Sequence, residues 1–388
     1  MNTLHQGITA LLRSAITGEK LPLPENFDLE EAYPQMKRHH MDALLYEGAM
    51  CCGISRQLPV MQMLFKQYCR AFFINEGQQQ MLEQLFEAFE ENKIDYMPLK
   101  GSKMKHCYPK PELRMMGDAD ILIRMEQYER IVPIMESLGF SFKAESDHEL
   151  VWKHPKLLVE LHKRLIPSYN KDFYGYFGIG WQMAAVQTGT RYAMRPEDEW
   201  IFMFTHFAKH FRDGGIGCRH VVDLWVYLRN NPGLDMGYVR QELKKLQLLE
   251  FYDNLCDVIN AWFEDGPETL AVDVITEFIF ASGSWGDVSS HMLSWTVRDL
   301  KRPTVAGGKW MHLLRIGFPG VVVLREKYPI LKRAPWMLAF VWIYRPFYKL
   351  LFERKSLVTR KKEMHTLTAD KLKTRQDFLD AVGLAYHF

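Results

Sequence analysis

Leu99-Lys100-Gly101-Ser102-Lys103-Met104-Lys105-His106-Cys107-Tyr108-Pro109-Lys110-Pro111-Glu112-Leu113-Arg114-Met115-Met116-Gly117-Asp118-Ala119-Asp120 stands apart from the rest of this chain in being suited to chemistry rather than to packing. A glycine-serine turn follows an apolar segment, several cations follow the turn, and two aspartates close the stretch one residue apart. Carboxylates so close together repel unless a cation sits between them, so Asp118 and Asp120 suggest a divalent metal. Ile94 to Leu99 reads as a first strand, and Gly101-Ser102 turns the chain into a helix that Pro109 and Pro111 end. Asp118 to Ile123 then alternates in strand fashion, with Asp118 and Asp120 on one face and Ala119, Ile121 and Ile123 on the other.

Working outward, Glu126 to Leu138 reads as an amphipathic helix closed by Gly139, and extended segments follow at Leu150 to Lys153 and Leu157 to His162. Two divalent ions need a third acid beside an Asp pair, because each otherwise has too few protein oxygens. Glu160 is the candidate: it interrupts an apolar strand expected beside the Asp118 strand, where a charge is otherwise hard to place. Its alternative is a solvent-facing position. His162, two residues on, shares the face of Glu160 and is placed to orient an acceptor or a metal ligand. A glycine where strand passes into helix lets the backbone approach a phosphate, and Ser102 adds a hydroxyl. Lys100 and Arg114 are cations for phosphate oxygens, with surface salt bridges as the competing assignment.

The flanks read as helical. Residues 4 to 58 form short helices separated by turn pieces such as Leu21-Pro22-Leu23-Pro24. A longer helix follows Pro59, with Met81, Leu82, Leu85, Phe86 and Phe89 on one buried face and Gly77 as a candidate break. From Pro167 onward the pattern is mostly helical. Pro196-Glu197-Asp198-Glu199 starts a helix that runs to Arg212, breaks at Gly214-Gly215, resumes near Cys218 and stops before Asn230-Asn231-Pro232-Gly233. Further helices are expected near Met236 to Gln247, Leu249 to Phe263 and Glu268 to Phe280. His206 and His210 lie one helical turn apart, which leaves zinc binding, a cleft-lining role and contact with a nucleotide or acceptor all open. Asp223 reads as a helix cap or a bridge between helices. The expected class is α+β: a small mixed β-sheet core over 93–166, a helical region at 1–92, a helical domain at 167–295 and a basic helical region at 296–388.

Composition bounds the function. The chain has 388 residues, 47% of them hydrophobic and 25% charged, with a net charge of +2, which describes an ordinary globular protein without the cationic excess of a dedicated nucleic-acid binder. Charge is uneven, however. From Arg298 to Met364 roughly 16 Lys or Arg face roughly 4 Asp or Glu, an excess of about +12, so the remainder carries about −10. Aromatics interleave with those cations at Lys309-Trp310, Arg325 to Tyr328, Lys332-Arg333 and Trp342 to Lys349. A solvated helical face, a membrane-surface or glycan-associated patch and a nucleic-acid surface are the competing assignments, nucleic acid being the least favoured. The six cysteines fit neither a Cys-x-x-Cys metal pattern nor a disulfide framework, so reduced thiols in a cytoplasmic protein are expected. The first residues lack the pattern of a signal peptide, and the apolar run Trp336 to Tyr344 is far short of the roughly 20 residues that cross a bilayer.

Leu99-Lys100-Gly101-Ser102, then Arg114-Met115-Met116-Gly117-Asp118-Ala119-Asp120-Ile121, then Val159-Glu160-Leu161-His162 together resemble the polymerase β-like nucleotidyltransferase superfamily, and more narrowly a bacterial family described as uncharacterised nucleotidyltransferases. The spacer between Ser102 and Asp118 is somewhat longer than the superfamily's usual one. The resemblance implies an NTP held by Gly101 and Ser102, two Mg²⁺ (or Mn²⁺) ions on Asp118 and Asp120, and Glu160 on the catalytic metal beside an acceptor hydroxyl. It implies transfer of a nucleoside monophosphate to that unidentified acceptor, with surface polysaccharide metabolism as one setting. The alternative is a catalytically inactive binding module on the same scaffold.

Overall fold

The computed structural model describes residues 1–283, 330–352 and 368–385, together with single residues at 307, 310, 318, 324 and 328. Its class is α+β, a mixed sheet among many helices. Four helices lead in: α1 (Thr3–Thr17), α2 (Leu29–Arg38), α3 (Asp42–Cys51) and the 33-residue α4 (Pro59–Glu91). Asn2 caps α1 by accepting the His5 N–H, and Pro59 opens α4 where its missing N–H costs nothing. Helix α4 runs unbroken through Gly77, because that glycine keeps helical backbone angles and α4 packs on both sides of it.

The sheet comprises β1 (Tyr96–Pro98), β2 (Ala119–Ile123), β3 (Ser141–Glu145), β4 (Glu149–Lys153), β5 (Leu158–His162), β6 (Ala184–Thr188) and β7 (Arg191–Met194), in the order β3-β4-β5-β2-β1-β7-β6. Between β1 and β2 lie the short α5 (Gly101–Met104) and two 3-10 turns, and α6 (Tyr128–Ser137) links β2 to β3. The β2–β5 and β1–β7 pairings are parallel and the others antiparallel. Three of these strands lie outside the four expected. Strand β3 is an edge strand with its first three residues exposed, so it lacks the apolar alternation that marks a buried strand. The β6–β7 hairpin corrects the helical reading after Pro167: it turns at Gly189, and Tyr96 N–H donates to Thr190 O, so a strand far upstream fixes it rather than local propensity.

Each face of the sheet is covered differently. Ala119, Ile121, Ile123, Val159 and Leu161 pack against the second half of α4 and against α6, through Leu82, Leu85, Phe89, Ile131 and Met135. Leu122 and Met97 belong to a larger core on the other face, shared with α7 (Lys171–Phe177), α8 (Pro196–Asp213), α9 (Cys218–Asn230), α10 (Met236–Lys245), α11 (Leu249–Phe263) and α12 (Leu270–Ser282). Helices α1 to α3 join this same core. Beyond it lie α13 (Ile330–Arg333), a 3-10 turn (Pro335–Met337), α14 (Leu338–Phe352) and α15 (Ala369–Ala381). Helix α15 returns to the core through Leu379, and Arg375 donates to the Phe211 and Arg212 carbonyls at 3.0 and 2.9 Å, satisfying last-turn acceptors of α8. Among the described residues no helix is long and apolar enough to cross a membrane. Most of the basic stretch, including Lys309 and Arg325 to Lys327, lies outside the described residues.

Candidate active site

Strand pairing places the acids. Strands β2 and β5 run side by side in the register Asp120↔Glu160 and Leu122↔His162. Side chains alternate along a strand, so Asp120, Glu160 and His162 share one face, away from the α4–α6 core. Asp118, immediately before β2, lines the same cavity of about 470 Å³. His162 Nε2 lies 2.7 Å from Asp120 Oδ1 and 3.9 Å from Glu160 Oε2. Ligand atoms of Asp120, Glu160 and His162 all lie within 4.8 Å of one another, the one such group among the described residues that could hold a metal ion. Strand β4 adds Glu149, directly opposite His162.

Of the five carboxylates that line the cavity, Asp118, Asp120, Glu149 and Glu160 crowd together and cannot all ionise comfortably. Burial, then the charges of Asp118, Asp120 and Glu149, push the Glu160 carboxyl up to about 9. Burial and Asp120 also raise Asp118. Burial would raise Asp120 too, but Lys100, the His162 hydrogen bond and Arg114 outweigh it and hold Asp120 well below the usual carboxylate range. Asp120 is therefore the anchoring anion, and Glu160 keeps its proton until positive charge arrives. A donor set with that bias fits a bound cation.

The Gly101 turn is built around two cations. Lys100 holds a left-handed φ of +37°, a conformation that costs a non-glycine residue roughly 1–3 kcal/mol, and its Nζ reaches to 3.6 Å from Asp120 Oδ1. Arg114 is buried and grips Asp223 of α9 with two bonds, Nε to Oδ1 at 3.0 Å and Nη2 to Oδ2 at 2.8 Å, while the Tyr108 hydroxyl donates to the same Oδ1 at 2.7 Å. Breaking such a pair strands a buried charge at a cost of about 3–5 kcal/mol, so the guanidinium is fixed. A Cβ at Gly101 would stand 2.9 Å from Arg114 Nη1, so a side chain there meets an arginine that cannot yield. Ser102 is buried and its hydroxyl donates to Leu99 O at 3.1 Å; it does not line the cavity.

Opposite the sheet, α8 and α9 form the other wall. His206 and His210 both line the cavity with their Nε2 atoms 3.0 Å apart, one donating and one accepting, and burial and Lys100 push His206 far below its ordinary value. Neither belongs to a three-ligand group among the described residues. Lys209 sits between them, its pKa pushed down to about 8 by burial and Lys100. Arg219, at the start of α9, donates to Met115 O at 3.0 Å while its Nε is buried without a partner.

The fold thus gathers Lys100, Gly101, Arg114, Asp118, Asp120 and Glu160, with His162, His206 and His210, around a single cavity, and leaves Ser102 behind its wall. Sequence reasoning passed over Glu149, Lys209 and Arg219. Glu149 opens a strand whose next residues are apolar, the same signal that exposed Glu160. Lys209 interrupts the aromatic run Phe204, Phe207, Phe211, a cation with no reason to sit in a core. No curated protein and no solved structure matches the chain. The sequence profile of a family described as uncharacterised nucleotidyltransferase matches residues 25–264, from α2 through the sheet to the end of α11. By that match, over more than half its length, the chain belongs to the uncharacterised nucleotidyltransferase family.

Proposed function

We propose that the protein transfers a nucleoside monophosphate from an NTP to a hydroxyl-bearing acceptor, dependent on Mg²⁺ or Mn²⁺. The observation that carries this reading is the cross-strand pair Asp120 and Glu160, with Asp118 beside it, facing a cavity that Lys100, Arg114, Lys209 and Arg219 also line. With His162 bonded to Asp120, the carboxylate oxygens of Asp118, Asp120 and Glu160 are the anionic donors at the sheet face, and such donors suit hard divalent ions. Divalent ions bound there would supply Lewis acidity to an acceptor hydroxyl and positive charge beside the departing pyrophosphate. Asp118, Asp120 and Glu160 are the residues that would hold them. The Gly101 turn admits phosphate oxygens close to the backbone, and Lys100, Arg114, Lys209 and Arg219 neutralise the triphosphate. In the transfer the acceptor oxygen bonds to the α-phosphorus as the bond to the β-phosphate bridge breaks; pyrophosphate leaves and the hydroxyl proton passes to solvent.

Incubating the protein with α-labelled NTPs, Mg²⁺ and a cell extract tests this. Label should pass to an acceptor, and Asp118→Asn and Asp120→Asn should each lower transfer at least about a hundredfold. Transfer that survives both substitutions overturns the reading.

A further inference from the structure

The C-terminal helices carry an apolar surface that the described fold leaves open. Trp336, in the 3-10 turn leading into α14, is 72% exposed; on the helix itself Phe340 is 61%, Ile343 66% and Tyr344 53% exposed. These residues recur at i, i+4, i+7 and i+8, which places them on one helical stripe. The other side of the same helix is satisfied: Val341 is buried with Leu324 and Leu331, and Met337, Leu338 and Trp342 pack around them. The unit therefore has its own small core and turns a second apolar face outward. Scattered exposed apolar residues are ordinary, whereas a contiguous stripe of four large ones marks a binding surface.

Charge identifies what the stripe meets. It lies within Arg298 to Met364, where roughly 16 cationic residues face roughly 4 acidic ones, and Arg333 on α13 is exposed beside it. We infer that this face docks on an anionic lipid surface, with α14 lying in the headgroup plane. Trp and Tyr favour that depth, Phe and Ile insert below it, and lysines and arginines meet the anionic headgroups. The 15 residues of α14 make a helix of about 22 Å, too short for the roughly 30 Å hydrocarbon layer, so the segment lies on the membrane and does not span it. A second copy of the chain fits less well, because pairing two such stripes brings like charges together. A nucleic acid would use the cations and aromatics and leave Ile343 in water.

The test uses the full chain and neither nucleotide nor metal, so it stands or falls apart from the transferase reading. The protein is sedimented with vesicles of pure phosphatidylcholine and with vesicles of phosphatidylcholine and phosphatidylglycerol. It should pellet with the anionic vesicles at about 0.1 M salt and far less at about 0.5 M. The variant Trp336→Ala/Phe340→Ala/Ile343→Ser should lower partitioning at least about tenfold. So should the single Phe340→Glu, which puts a negative charge on the same exposed face and serves if the triple variant melts lower. Phe72→Ala/Phe73→Ala, at an exposed aromatic pair on α4, should leave partitioning unchanged. The inference is overturned if the wild type ignores anionic vesicles, or if the α14 variants pellet as it does. It is overturned equally if the α4 variant is the one that loses binding. Two further results sink it: binding of poly(U) that depends on Phe340 while vesicles are ignored, and lipid-free self-association that the α14 variants abolish.

Discussion

At the level of single residues, Lys100 shows how function and stability conflict. Its left-handed backbone would suit glycine, yet the position carries the amine that reaches Asp120. Lys100→Gly removes the amine and relaxes the backbone; Lys100→Ala removes the amine and keeps the strain. Both variants should lose most transfer activity, while urea unfolding should find Lys100→Gly more stable than Lys100→Ala by about 1 kcal/mol. Equal stabilities would mean that the backbone at this turn is not strained. The acids beside it were legible in the sequence because a charge in an apolar strand has no structural use: Asp120 and Glu160 each interrupt such a run, and alternation alone put Asp118 and Asp120 on one side. Arg114 was legible as a cation but not as the partner of Asp223, since no local pattern joins positions 109 residues apart.

At the level of elements, α4 offers the cleanest measurement. Gly77 sits inside a continuous helix, and a Cβ there would meet only the Lys156 side chain, Cδ at 3.7 Å and Cγ at 3.9 Å, both ordinary contacts. Gly77→Ala should therefore stabilise the protein by about 0.5–1 kcal/mol in urea unfolding, the gain of alanine over glycine in a helix interior. A loss would show that α4 needs to bend there. The helices of the second half were legible because their caps and 3.6-residue periodicity are local: Leu249–Phe263 coincides with its expected bounds, and Pro196 opens α8 as its position predicts. Strands β6 and β7 were not, because Ala184-Ala185-Val186 favours no conformation by itself: among the described strands β6 pairs only with β7, and β7 is held in the sheet by β1, some ninety residues upstream. The cavity's second wall was legible in part: His206 and His210 stood out as a pair one helical turn apart, whereas Arg219 acquires meaning only once α9 is set against the sheet.

At the level of the whole molecule, His39 is a joint. Its Nδ1 accepts the Cys218 N–H at 3.3 Å and its Nε2 donates to Phe280 O at 3.2 Å, tying the end of α2 to α9 and α12. That pair of bonds requires a neutral ring, and burial pushes the pKa down to about 4. The folded value lies below the unfolded value of about 6.5, so the unfolded chain takes up the proton first as pH falls. The contribution is complete above about pH 6.5 and is lost as pH falls towards 4, amounting to up to about 3 kcal/mol. Urea unfolding from pH 7 to 4 should show this decline in the wild type and a shallower one in His39→Gln; identical slopes would remove His39 from the account. The grip of Arg375 on the carbonyls of Phe211 and Arg212 bears on the order in which the protein is made. A ribosome delivers the sheet and its acids first and the two lysine- and arginine-bearing helices soon after, but the side chain that clasps the end of α8 emerges more than 160 residues later. The nascent chain thus carries its acidic face well before the facing wall is fastened.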